Sequence, residues 1–247
     1  MTLTMSDWPT LSRPPIVEGL IDFRVERDPS LTVEQLKTAC DELAEEFPSR
    51  HERHRWSGEI TLSAAAGASL SASIPEADGI ILRSTDDKWV VQFRLDGFTV
   101  SRLEPYGSWD DLVNKSVELW DKYVAVAKPA RILRVATRFL NRINLPTNEH
   151  FDSTFSTVFA IAPELPQAVA GFLLRVVIPF EPEQALAILT QSLEANTTDC
   201  VFDLDVFAEQ SGGFSPLEAW KKLEALREVK NRLFFGSLTP AAVEKFR

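Results

Sequence analysis

Three arginines recur at four-residue intervals in "ARILRVATRFLNRINL", at Arg134, Arg138 and Arg142. On a strand, side chains alternate between faces, so this spacing sets all three on one face at roughly 13 Å intervals, together with Ala136, Leu140 and Asn144. Leu133, Val135, Thr137, Phe139, Asn141, Ile143 and Leu145 share the other face, which turns to the core. The same alternation in "CVFDLDVFAE" sends Asp203 and Asp205 one way and Phe202, Leu204 and Val206 the other. Glu18 and Asp22 of "VEGLIDFRV", and Arg94 of "VVQFRL", follow the same parity. A guanidinium presents a fixed fork of donors that matches a carboxylate or a phosphate. Such a set forms a lattice of cross-strand ion pairs, each contributing from a few tenths to about 1 kcal/mol, or a surface that binds an anion or a partner's acidic strip. A third arrangement is ion pairing buried within a larger assembly, and spacing alone does not choose among the three.

Other reactive residue types lack the required company. His51 and His54 in "HERHRW" have neither the order nor the helical spacing of a zinc pair, so this segment reads as an exposed polar loop after Pro48. His150 reads as a helix-entry residue. There is no nucleophile elbow, and Cys40 on a helix and Cys200 at a strand start carry no signal of activation. "AAAGASLSAS" has small residues without the spacing of a phosphate loop, and reads as a weakly paired hairpin strand. The pairs Asp86/Asp87 and Asp110/Asp111 fall at a turn and a helix start, where carboxylates are ordinary. Trp89, Phe93 and Phe98 could stack bases, but no basic stripe accompanies them, and they read as core. No catalytic residue, metal or cofactor is expected.

Composition narrows the partners. The 247 residues hold 26 basic and 36 acidic side chains, a formal charge of -10, which opposes phosphate backbones and anionic lipid. Nucleic acid is disfavoured, and a basic protein is the expected partner; a homo-oligomer remains open. The start, "MTLTMSDWPTLSRPP", lacks the basic and apolar regions of a signal peptide, and no run of 18 apolar residues occurs. With two distant cysteines, a cytoplasmic location is expected.

The elements that position the charged residues follow from period and punctuation. A strand is expected over about 15–26, followed by a helix capped by Ser30 or Thr32 and stopped by Pro48. "EITLSA", "GIILRS", "WVVQFRL" and "FTVSRL" read as short strands, with Asp96-Gly97 as a hairpin turn. Ser108 caps a long amphipathic helix that ends before Pro129. The second half repeats this order. A strand covers 131–145, "NEHFDSTFSTVFAIAP" holds a short helix, and "GFLLRVVIPF", "QALAILTQSL" and "CVFDLDVFAE" are strands. A last helix has Ser215 as cap, Pro216 at its first position and Glu218 completing the box, with Asn231 ending or bending it. Leu233, Phe234 and Phe235 then form an apolar cluster, and Thr239-Pro240 starts a final short helix through Phe246.

The expected fold is α+β. Tandem β-α-β(3-4)-α units, residues 1–129 and 130–247, share one curved, largely antiparallel sheet with helices on one face. This architecture resembles the duplicated fold of the TATA-binding-protein-like class, a likeness that carries no function.

"PPIVEGLIDFRV", "RFLNRINLP", "FDLDVF" and "LREVKNRLFFGSLTP" also resemble, in order, the landmarks of a sporadically distributed bacterial family of unassigned function. The likeness falls on Pro14, Pro15 and Glu18, on Arg138, Phe139, Asn141, Arg142 and Ile143, and on Lys230, Asn231, Phe234, Ser237 and Thr239. It implies an accessory role, such as phage defence or neutralisation of a toxin. The functional expectation is a non-enzymatic interaction or accessory protein. Its alternative is an enzyme or small-anion sensor using Arg134, Arg138, Arg142, Asn144, Asp203, Asp205, Glu18, Asp22 and Arg94. Phe234, Phe235 and Phe246 of the tail either dock on the body or contact a partner.

Overall fold

The computed structural model describes residues 8–55, 58–63, 67–72, 75–145, 151–194 and 197–247, and for 58–63 and 67–72 the backbone only. The first half contains β1 (Ile16–Val25), α1 (Val33–Cys40), β2 (Ser49–Arg55), β3 (Gly58–Ser63), β4 (Gly67–Ala72), β5 (Glu76–Arg83), β6 (Trp89–Arg94), β7 (Gly97–Leu103) and α2 (Trp109–Ala127). The second contains β8 (Ile132–Asn144), β9 (Phe172–Phe180), β10 (Ala185–Leu193), β11 (Asp199–Phe214), α3 (Pro216–Ser237) and α4 (Pro240–Glu244).

Nine strands form one antiparallel sheet in the order β2-β5-β6-β7-β1-β8-β11-β10-β9, and β3 pairs with β4 separately. The order reads outward from the β1–β8 pair, the first strands of the two halves. Each half therefore adds strands on its own side of that seam. The long helices α2 and α3 follow β7 and β11, the strands that flank the seam.

Helix starts agree with local chemistry. Thr32 caps α1 with Gln35, Ser108 caps α2 with Asp111, and Ser215 caps α3 with Glu218, each a reciprocal box, with Pro216 at the start of α3. Ser30 is instead held by the Asp28 carboxylate. Four expectations are corrected. α1 passes at Asp41 into a 3-10 turn, well short of Pro48. "SRHERHR" is a strand, β2, rather than a loop; it lies at the sheet edge, where few side chains are buried and no apolar alternation is needed. Residues 151–163 hold only a 3-10 turn, Phe151–Ser153, and His150 lies outside the described residues. Asn231 neither ends nor bends α3, because its carbonyl accepts the Lys230 amine and the helix continues to Ser237.

The core lies between one sheet face and the helices. Phe23, in β1, is fully buried at its centre, with its ring 5.1 Å from Trp120 of α2 and 5.0 Å from Trp220 of α3 in edge contacts. One side chain thus ties both long helices to the central strand. At the far edge, β9 carries Pro179, which has no N–H to offer a neighbouring strand. Phe23→Ala is expected to destabilise the protein by about 3–5 kcal/mol, the range for emptying a large aromatic site. Denaturant unfolding measures this, and a loss below about 1 kcal/mol would deny the ring its central place.

Candidate functional site

The sheet face opposite the helices carries the charged set. β1 sends Glu18, Leu20, Asp22 and Arg24 to it, and β8 and β11 flank it through pairings that place Leu20 beside Arg138 and Arg138 beside Asp205. Asp22 stands at the centre of a chain of contacts. Its Oδ1 accepts from Arg94 Nη2 at 2.8 Å and from the Thr99 hydroxyl at 2.7 Å, and its Oδ2 accepts from Arg134 Nη1 at 3.2 Å. Arg94 also donates to Thr99. Arg134 reaches on to Asp205 at 3.3 Å and lies over the Phe207 ring at 4.3 Å. Arg138 holds Asp203 with two bonds of 2.8 and 2.6 Å. The Asp22–Arg134, Arg134–Asp205 and Arg138–Asp203 pairs are offset along the strands and cross their ladders diagonally, whereas Arg134 also lies 3.6 Å from Glu209 directly opposite.

The network extends onto elements that were not singled out by the sequence. Arg53 and Arg55 of β2 both donate to Asp78, and Arg55 donates to Asp96 at 2.6 Å. Asp96 in turn lies 3.5 Å from Arg94 Nε. Gly97 fits here because a Cβ would land on the Phe23 carbonyl oxygen and the Arg94 guanidinium. Arg24 is exposed and sits directly across from Arg134, and its guanidinium makes no hydrogen bond or ion pair among the described residues. Together Arg24, Arg53, Arg55, Arg94, Arg134 and Arg138 line a depression of about 630 Å³ that also receives Asp22, Asp96 and Asp205. Leu20 and Ala136 are its apolar members. The alternating Arg53 and Arg55 in "ERHR" were the available signal for the β2 contribution.

Burial acts differently on two of these carboxyls. It pushes Asp96 up, but Arg94 and Arg55 outweigh it and hold the group below its usual value. Burial also pushes Asp205 up, and there it prevails over Arg134 and Arg138. Asp205 therefore keeps its charge less readily than Asp96 although both meet arginines.

The other expected residues sit at the margin or elsewhere. Arg142 is exposed and reaches Glu104 only at 4.0 Å. Asn144 donates to Thr198 at 2.8 Å and Asp199 at 2.9 Å. Glu18 adds its negative field to Arg138. The tail is used within the chain: Phe234 is buried near Phe202, Phe235 stacks on Trp8 at 5.2 Å, and the Phe246 carbonyl accepts from the Arg13 backbone. Among the described residues, no group of three or more His, Cys, Asp or Glu is placed to hold a metal ion, and no helix is long and apolar enough to cross a membrane. No protein-family model matches the chain, and no curated protein matches it.

Asp22→Ala leaves Arg94 and Arg134 short of a shared anion at sites where their side chains are only 10% and 14% exposed. A loss of about 3 kcal/mol is expected in denaturant unfolding. Arg142→Ala is expected to change stability by less than about 0.5 kcal/mol; equal losses for the two variants would remove the distinction between lattice and margin.

The lowered value of Asp96 means that its contribution is complete above its unfolded value near 3.8 and is lost as pH falls through the folded value. The melting-temperature gap between wild type and Asp96→Asn is therefore expected to close as pH drops below about 4. A gap that stays constant from neutral pH to pH 3 would contradict this assignment.

Proposed function

We propose that the protein is a non-enzymatic interaction protein that docks a partner on the open face of its sheet. The observation that carries this reading is the composition of that face. The arginine-lined depression straddles the seam, and farther out on β9 and β10 Leu173, Val177 and Leu186 stand exposed at 73%, 49% and 40%. The register places Val177 beside Ile188, and Leu186 beside both Pro179 and Phe207, so these side chains continue the face that holds Asp203 and Asp205. Apolar contact supplies burial and the arginines supply orientation, the division usual in a recognition surface. The matching patch on the partner bears carboxylates, even where its overall charge is basic enough to suit a chain of net charge -10.

A tandem origin for residues 1–129 and 130–247 belongs to this reading. It is supported by the strand order, which runs outward from β1 and β8 and sets a long helix after β7 and after β11. The family likeness extends the proposal to an accessory role in bacterial defence or toxin neutralisation.

Arg24 favours a second reading, a small anion held in the depression, since this exposed cation has no ion-pair partner among the described residues. The two readings separate by experiment. Capture by the tagged protein at low salt is expected to retain one stoichiometric protein, which Val177→Asp and Arg24→Glu each release. A partner kept by both variants would move the contact off this face. Saturable heat on titration with inorganic phosphate, abolished by Arg24→Ala, with no protein captured, would favour the small-anion reading instead.

A further inference from the structure

Two hollows on the open face lie on one line. A single rung of the sheet runs through Thr99, Asp22, Ala136, Phe207, Leu186 and Pro179, each directly across from the next. The first three line the arginine depression, and the last three line a second hollow of about 250 Å³ beside the β9–β10 hairpin. The Arg134 guanidinium borders the first and the Phe207 ring the second, and the two are stacked at 4.3 Å. The hollows are therefore the two ends of one furrow that crosses the strands. Asp22 and Leu186 stand three strand spacings apart along it, a distance of roughly 14 Å.

Each end suits a different chemistry. Pro179, Leu186 and Phe207 give the second hollow apolar walls, and Leu186 is exposed there. Glu181 and Glu209 also line it, which turns a carboxylate away. In the depression, Arg94 is engaged by Asp22 and Thr99, and Arg134 by Asp22, Asp205 and Glu209. Arg24 differs: its exposed guanidinium has no hydrogen bond or ion pair among the described residues. A carboxylate arriving at this end therefore meets Arg24, whose fork can donate two parallel N–H bonds to it.

We infer that the furrow holds an extended segment of a partner protein in which an apolar side chain and a carboxylate stand four residues apart. An extended chain advances about 3.3–3.6 Å per residue, so four residues cover the distance between the ends. The apolar side chain enters the hollow at Leu186 and Phe207 while the carboxylate pairs with Arg24. A helix rises only about 1.5 Å per residue and would leave the same two groups about 6 Å apart, too close to serve both ends. This inference rests on the docking of a partner on the open face, and adds the form of the docked segment and its spacing.

The test is selection of a random heptapeptide display library on the immobilised full chain, followed by fluorescence-anisotropy titration of the enriched peptides made with amidated C-termini. Enriched sequences are expected to place a Leu, Met or Phe four residues from an Asp or Glu. Arg24→Glu and Leu186→Asp, one at each end of the furrow, are each expected to weaken binding by about tenfold or more. Both positions are exposed, so the variants report contact rather than folding. Arg142→Glu, which reverses an equally exposed charge at the margin of the face, is expected to leave binding unchanged. Enrichment without a common spacing, a loss in only one of the two furrow variants, or an equal loss in Arg142→Glu overturns the inference. Its failure is separable from that of the docking reading. A host protein released by both Val177→Asp and Arg24→Glu, yet bound only through a folded surface with none of its peptides retained, keeps the docking face and removes the extended segment.

Discussion

The pairing of β1 with β8 is the constraint on which the rest of the molecule hangs. It joins the halves across a sheet in which side chains alternate strictly, so it sets the identity of both faces at once. Phe23 points to Trp120 and Trp220, while its neighbour Asp22 points to Arg94 and Arg134. A slip of one residue would put a carboxylate between two indoles and a phenylalanine among guanidinium groups. Core packing and the ionic network therefore enforce the same register from opposite sides.

Charge on the open face is organised around carboxylates shared between arginines. Asp22 serves Arg94 and Arg134, Asp78 serves Arg53 and Arg55, and Asp96 serves Arg55 and Arg94. Sharing holds like charges close while leaving individual guanidinium donors uncommitted. Arg24, opposite Arg134 and without a carboxylate partner among the described residues, adds to that surplus at one place. An acidic chain thus carries a local concentration of arginines that its total charge hides.

Much of this was legible in the sequence where local chemistry decides structure. The caps at Ser108 and Ser215, the Asp96-Gly97 turn and the face parity of Arg134, Arg138, Asp203 and Asp205 depend on neighbours a few residues apart, whereas the choice of Thr32 over Ser30 did not show in the sequence. What failed depends on the fold as a whole. β2 is a strand because β5 offers it an edge, and "SRHERHR" contains no alternation that announces this. The partner of each arginine follows from strand order, which no spacing encodes. Lys230, named only through the family likeness, falls four residues after Leu226 and seven after Leu223, on the face of α3 that turns to Phe139 of the sheet. Asn231 was read as a breaker from its propensity, whereas burial and the bond from Lys230 keep it helical.

The two ends of the sheet differ in a way that bears on how the chain behaves in a crowded solution. A free strand edge is an invitation to endless lateral growth into fibres. β2 closes one end with a run of arginines and histidines, and Pro179 interrupts the donor row of β9 at the other. The apolar side chains of β9 are thus offered to the side, over the sheet, while the edge beside them is a poor template. Such a molecule can carry a greasy sheet face beside an edge that resists polymerising.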